Sequence, residues 1–134
     1  MKVTGGCHCG QIAFETEVDP DKSVICHCTD CQTLSGTAFR TVVPCREADF
    51  TLTSGTPKIY VKTAESGNPR EQAFCGDCGT PLYATSVGGE DRILGLRVGA
   101  IHQRDQIAPK KQLWSRSALG WLHDMDEVPK VEKV

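Results

Sequence analysis

Phe74-Cys75-Gly76-Asp77-Cys78-Gly79 is the stretch on which the reading of the chain turns. Cys-x-x-Cys followed by Gly is a metal knuckle: a tight turn aims two thiolates at one ion, backbone N–H groups donate to the sulfurs, and the Gly relieves the turn. Two thiolates do not fill a tetrahedral shell, so other segments must contribute. Two further clusters stand ready, Cys7-His8-Cys9 and Cys26-His27-Cys28-Thr29-Asp30-Cys31, which places seven of the eight cysteines in groups of two, two and three. Cys-x-Cys on an extended segment turns both side chains to one side, so Cys7 and Cys9 can chelate together once a second pair joins them.

Seven donors divide as four plus three. Four thiolates close a structural zinc site, whereas three leave a fourth position for water or substrate, as a catalytic zinc requires. Spacing alone leaves two pairings open. In one, Cys7 and Cys9 join Cys75 and Cys78 while Cys26, Cys28 and Cys31 make the open site; in the other, Cys28 and Cys31 join Cys75 and Cys78 and the open site falls to Cys7, Cys9 and Cys26. A disulfide framework is disfavoured where no secretion signal is seen, and an iron–sulfur cluster lacks both its fourth ligand and its usual spacing.

Around these clusters the 134 residues read as mainly β. Alternating runs recur at 11–18, 38–43, 49–53, 58–62, 81–85, 92–98 and 112–115, punctuated by turn signals such as Asp19-Pro20-Asp21 and Ser54-Gly55-Thr56-Pro57. Helix is expected only briefly, over Asp30–Leu34 with Thr29 or Asp30 as N-cap and near Ser115–Leu119. With 39% hydrophobic and 24% charged residues, the expectation is a single domain over 1–134, with 123–134 a charged surface arm. No apolar run reaches the roughly 18 residues of a membrane span, and the start carries no apolar leader, which implies a cytoplasmic protein with no membrane partner. The formal charge of −2 falls to about −5 once seven thiolates and two Zn²⁺ are counted. That balance argues against nucleic acid as a partner.

Gly6-Cys7-His8-Cys9-Gly10 with Glu15, then Cys26-His27-Cys28-x-x-Cys31 with Gly36, then Phe74-Cys75-x-x-Cys78-Gly79, closely resemble the glutathione-dependent formaldehyde-activating enzyme family, shared with centromere protein V. The likeness continues through Asp105, Pro109, Trp114, Ser117, Trp121 and Pro129. It implies a small zinc-bound β-sheet fold of the Mss4-like type and two Zn²⁺ per chain. It also selects between the pairings: a structural zinc on Cys7, Cys9, Cys75 and Cys78, and a catalytic zinc on Cys26, Cys28 and Cys31. The implied activity is that of a carbon–sulfur lyase run in the synthetic direction, condensing formaldehyde with glutathione, although the family does not fix the thiol or the aldehyde. Three positions depart from the common pattern, because Gln32, Gln72 and Gln112 stand where basic or ionisable residues are frequent. A neutral amide cannot replace a charge-assisted contact of roughly 1.5–3 kcal/mol to a substrate carboxylate.

The remaining chemistry-bearing residues carry blander expectations. His8 and His27 sit between ligands, where alternation turns their rings away from the metal and towards solvent. His102 and His123 are expected on the surface, Cys45 in the core as a small hydrophobe, and Trp114 and Trp121 in core packing. Arg40, Arg70, Arg92, Arg97, Arg104 and Arg116 could include an anion clamp, though scattered Arg residues usually form a solvated face. Asp30 or Thr29 at a helix start would help keep Cys31 ionised. Two other functions compete with the enzyme: a non-catalytic zinc-scaffolded binding module, and a thiol or metal sensor in which Cys26, Cys28 and Cys31 oxidise when zinc leaves.

Overall fold

Alternation along the strands builds two sheets that share one core. The computed structural model describes all 134 residues. In chain order the elements are β1 (Lys2–Gly6), β2 (Ala13–Glu17), β3 (Val24–Cys26), α1 (Thr29–Ser35), β4 (Arg40–Arg46), β5 (Thr51–Ser54), β6 (Lys58–Thr63), β7 (Pro69–Phe74), β8 (Pro81–Ser86), β9 (Ile93–Arg97) and β10 (Lys111–Leu113), with six short 3-10 turns between and after them. The smaller sheet runs β1-β2-β5 and the larger β10-β3-β4-β9-β8-β7-β6. Every pairing is antiparallel except β10 with β3. The protein is therefore mainly β, and none of its helices is long and apolar enough to cross a membrane.

Val3 and Phe14 of the smaller sheet face Val43, Leu82, Leu94 and Leu96 of the larger one, and Ile101 and Ile107 close the space between them. These side chains are almost wholly buried, and each such burial stabilises by about 1.5–3 kcal/mol. Cys45 lies among them, as expected of a small apolar side chain, and burial pushes its thiol up. Gly5 lets the 3-10 turn Val98–Ala100 approach β1 beside the Phe14 ring: a Cβ there would stand 2.3 Å from both Ala100 O and Phe14 Cζ.

Three strands carry little pattern of their own. β1 ends in Gly-Gly, β3 has three residues that run into the cysteine cluster, and β7 (Pro-Arg-Glu-Gln-Ala-Phe) lacks β-branched side chains. Each forms because its neighbours offer a hydrogen-bonding edge, β7 between β6 and β8 and β3 between β10 and β4. The helix differs from expectation at its start, since the N-cap is Cys28 itself. Gly36, at φ 71°, ends it in the left-handed conformation that glycine adopts without strain.

Candidate metal centres

The first thiol group gathers at the ends of β1 and β7. Cys7 and Cys9 follow β1 in a turn closed by Cys7 N–H donating to Ile12 O at 3.0 Å, and Ile12 N–H donates to Cys7 Sγ at 3.2 Å. Cys75 and Cys78 follow β7, where Gly79 N–H donates to Cys75 O at 2.8 Å and Cys78 N–H lies 3.5 Å from Cys75 Sγ. Gly79, at φ 79°, completes the knuckle turn. Thr80 binds the two loops together, accepting from His8 N–H at 3.0 Å through Oγ1 and lying 3.2 Å from Cys78 Sγ. Its hydroxyl, its backbone N–H and that of Cys9 hold the Cys78 thiol down at about 5.

The four sulfurs lie within 4.8 Å of one another, with Cys7 to Cys9 at 3.6 Å and Cys9 to Cys75 at 3.8 Å. A tetrahedron with metal–sulfur bonds of about 2.3 Å has edges of about 3.8 Å, so the donors already stand at the separation that one zinc-sized ion needs. This is a closed donor set.

The second group is made by β3 running into α1. Cys26 ends the strand, Cys28 caps the helix and Cys31 lies in its first turn, where its N–H donates to Cys28 Sγ at 3.3 Å. Their sulfurs also lie within 4.8 Å of one another, and no fourth side-chain donor joins them. The Cys31 thiol, then the Cys28 N–H, stabilise a thiolate at Cys26 and hold it down at about 5. Sharing that proton and burial push Cys31 well above the usual thiol range. Asp30 is spent elsewhere, accepting from Lys62 Nζ at 2.8 Å.

His27 departs from the expected solvent-facing spacer. It is 3% exposed, its edge meets the Phe39 ring, and with the proton on Nε2 it donates to Gln112 Oε1 at 2.6 Å. His8, by contrast, is exposed. The departure follows from β10, which pairs with β3 and sets Gln112 opposite Ile25, covering the side of the cluster that alternation would have left to water. Gln32 is likewise occupied, its Nε2 donating to His27 O at 2.8 Å and to Ser117 O at 3.0 Å.

Trp114 and Trp121 correct another expectation, being 41% and 53% exposed rather than core. Trp114 has φ 55°, ψ 40°, a left-handed conformation that costs a bulky residue about 1–3 kcal/mol. It persists because both flanks are tethered: His27 N–H donates to Leu113 O at 3.0 Å, and Gln32 holds Ser117. The result is an aromatic wall on a cleft of about 500 Å³ lined by Cys28, Asp30, Lys62, Trp114, Arg116 and Ser117 among others. Arg116 lies 5.0 Å over the Trp114 ring. Lys62 in this cleft was invisible to spacing arguments, since only the strand register of β6 brings it there.

Residues 2–117 match the family model described as glutathione-dependent formaldehyde-activating enzyme. The chain belongs to that family. Among solved structures, a crystal structure of a Rhodobacter sphaeroides protein is similar at TM-score 0.61 and 18% identity, covering 81% of this chain and 98% of that one. That likeness is one of fold. Membership in the glutathione-dependent formaldehyde-activating family implies enzyme activity related to formaldehyde activation, with glutathione and formaldehyde as small-molecule partners. Two cysteine clusters able to hold metal ions accord with it.

Proposed function

We propose that the chain is a zinc-dependent carbon–sulfur lyase that joins a small thiol of the glutathione kind to an aldehyde such as formaldehyde, in the cytoplasm. Cys7, Cys9, Cys75 and Cys78 hold a structural zinc; Cys26, Cys28 and Cys31 hold the catalytic one. The observation that carries this reading is the difference between the two donor sets. One is closed by four thiolates, and the other has three, with Cys28 lining a solvent-open cleft.

A zinc held by Cys26, Cys28 and Cys31 would supply the means to lower the proton affinity of a thiol brought to it. The chain's own residues arrange the rest. Cys28, anchored by the Cys31 N–H, is the ligand that meets the cleft. Trp114 supplies a flat apolar wall for the body of the thiol. Lys62, kept in place by Asp30, brings an N–H donor to the cleft for the aldehyde oxygen. In the condensation the thiol sulfur bonds to the carbonyl carbon, the C–O π bond breaks, and the thiol proton ends on the oxygen. Nothing is oxidised or reduced.

The test is paired substitution. Cys28→Ser should abolish formation of the thiohemiacetal from glutathione and formaldehyde, followed by NMR, while the variant keeps one zinc and a cooperative melt. Cys78→Ser should instead lose the fold along with its zinc. Full turnover by Cys28→Ser, or its global unfolding, would overturn the catalytic assignment.

A further inference from the structure

A second cleft, of about 370 Å³, is lined by Leu34 near the end of the helix that carries Cys31. That volume is within the roughly 300–1,000 Å³ typical of small-molecule sites. Leu34 of α1, Tyr60, Phe74 and Tyr83 give it apolar walls, and two arginines, Arg40 and Arg97, line it with them. Gly79 of the knuckle also touches it, so the cleft lies between the two thiol groups.

The arginines are the anomaly. Arg40 sits in β4 directly opposite Cys26 and is 94% buried by the 6% exposure of its surface. Its Nη2 and the Nε of Arg97 are buried with no hydrogen-bond partner. None of the chain's ion pairs involves either residue. Arg97 has one contact that fixes it, donating from Nη2 to Gln72 Oε1 at 2.8 Å. Gln72 is itself buried and uncharged, so it orients the guanidinium without neutralising it. Unpaired buried cations are costly, and chains retain them where something of opposite charge arrives. The cysteine cluster acts on both, Cys31, Cys28 and Cys26 on Arg40 and Cys31 and Cys26 on Arg97, but burial outweighs it in each.

We propose that this cleft is a carboxylate-binding subsite, in which Arg40 and Arg97 hold the carboxylate of a substrate whose apolar or aromatic body lies against Leu34, Tyr60, Phe74 and Tyr83. A planar guanidinium matches a carboxylate through paired N–H donors, and the apolar walls select an organic acid over a hydrated inorganic anion. Burial, and then the charge of Arg40, push the Arg97 guanidinium down to about 9, as expected of a cation with no acidic partner. That the carboxylate belongs to the reacting thiol or aldehyde rests on the proposed lyase function; the existence of the subsite does not.

The experiment is calorimetric titration of the zinc-loaded full chain with 3-phenylpropionate, its neutral amide, and inorganic phosphate. The acid should bind at least tenfold more tightly than the amide and than phosphate. Arg97→Met should weaken the acid tenfold or more and leave the amide unchanged, while Lys133→Met, on the exposed tail, should change neither. Equal binding of acid and amide by the unmodified protein would overturn the proposal without relying on any variant. Phosphate binding as tightly as the acid would also overturn it, since the apolar walls would then select nothing. Because the titration reads no turnover, a chain inactive towards every thiol and aldehyde can still show the subsite, and an active one can lack it.

Discussion

Replacing Gln112 by Leu isolates the contact that holds the three-cysteine loop from behind. His27 lies between Cys26 and Cys28, is 3% exposed, and has Gln112 Oε1 at 2.6 Å as the partner of Nε2. Its other ring nitrogen, Nδ1, is buried without a partner, so no alternative contact is at hand. Leucine keeps the volume and removes the acceptor, leaving a buried N–H unsatisfied at a cost of about 1–3 kcal/mol. For 134 residues the unfolding entropy is about 0.28 kcal/mol/K, so Tm should fall by about 4–11 °C. The assay is thermal unfolding by circular dichroism with zinc in excess, so that loss of metal does not enter the difference. Adding His27→Phe to Gln112→Leu removes the orphaned donor and should recover part of the loss, giving a coupling in a double-mutant cycle. A Gln112→Leu melt within about 1 °C of the unsubstituted protein would refute the reasoning, because the ring would then be held by Phe39 and packing alone.

Gly5→Ala should cost about 1–3 kcal/mol or more in urea denaturation, because a Cβ at 2.3 Å from Ala100 O and Phe14 Cζ pushes the Val98–Ala100 turn and the Phe14 ring away from β1; a neutral effect would mean the approach is not fixed. Glu47 accepts from Arg92 at 2.6 and 3.0 Å, and this guanidinium holds its carboxyl below the usual range. A lowered carboxyl stabilises the fold fully above its unfolded value and loses that contribution as pH falls through the folded one. Glu47→Gln should therefore melt below the unsubstituted protein at neutral pH and converge with it in acid. The gap should be small, since Glu47 is partly exposed, and a gap independent of pH would exclude the ion pair as its source.

What could be read from the sequence was whatever depends on local chemistry. The knuckle at Cys75–Gly79 announces its turn, and the apolar alternation of Pro81–Thr85 and Arg92–Val98 announces β8 and β9. Elements formed by partnership were hidden. β3 is a strand because β10 and β4 flank it, and its three residues have no period to detect. The same holds for side chains: His27 looks like a solvent-facing spacer until β10 is known to lie beside it. Trp114 looks like core until its backbone is seen in the left-handed region, tethered on both flanks so that the ring faces the cleft. Arg40 stands inside the run Ala38-Phe39-Arg40-Thr41-Val42-Val43, and a charge embedded in an apolar strand was the one signal that it is not a surface residue.

The three glutamines that replace frequent basic or ionisable residues can now be understood together. None is free to meet a ligand as a charge would. Gln32 donates to two carbonyls, Gln112 accepts from His27, and Gln72 accepts from Arg97. The role of Gln72 requires an acceptor, which an arginine lacks altogether, and that of Gln112 requires one that a histidine offers only through its unprotonated ring nitrogen. An arginine at 72 would also bring another guanidinium against Arg97 and Arg40, neither of which has an ion-pair partner. The amide at 72 thus leaves Arg97 of β9 oriented but not neutralised, beside Arg40 of β4, which stands opposite Cys26. The carboxylate subsite proposed above would then rest on Arg40 and Arg97, with Gln72 orienting the second of them.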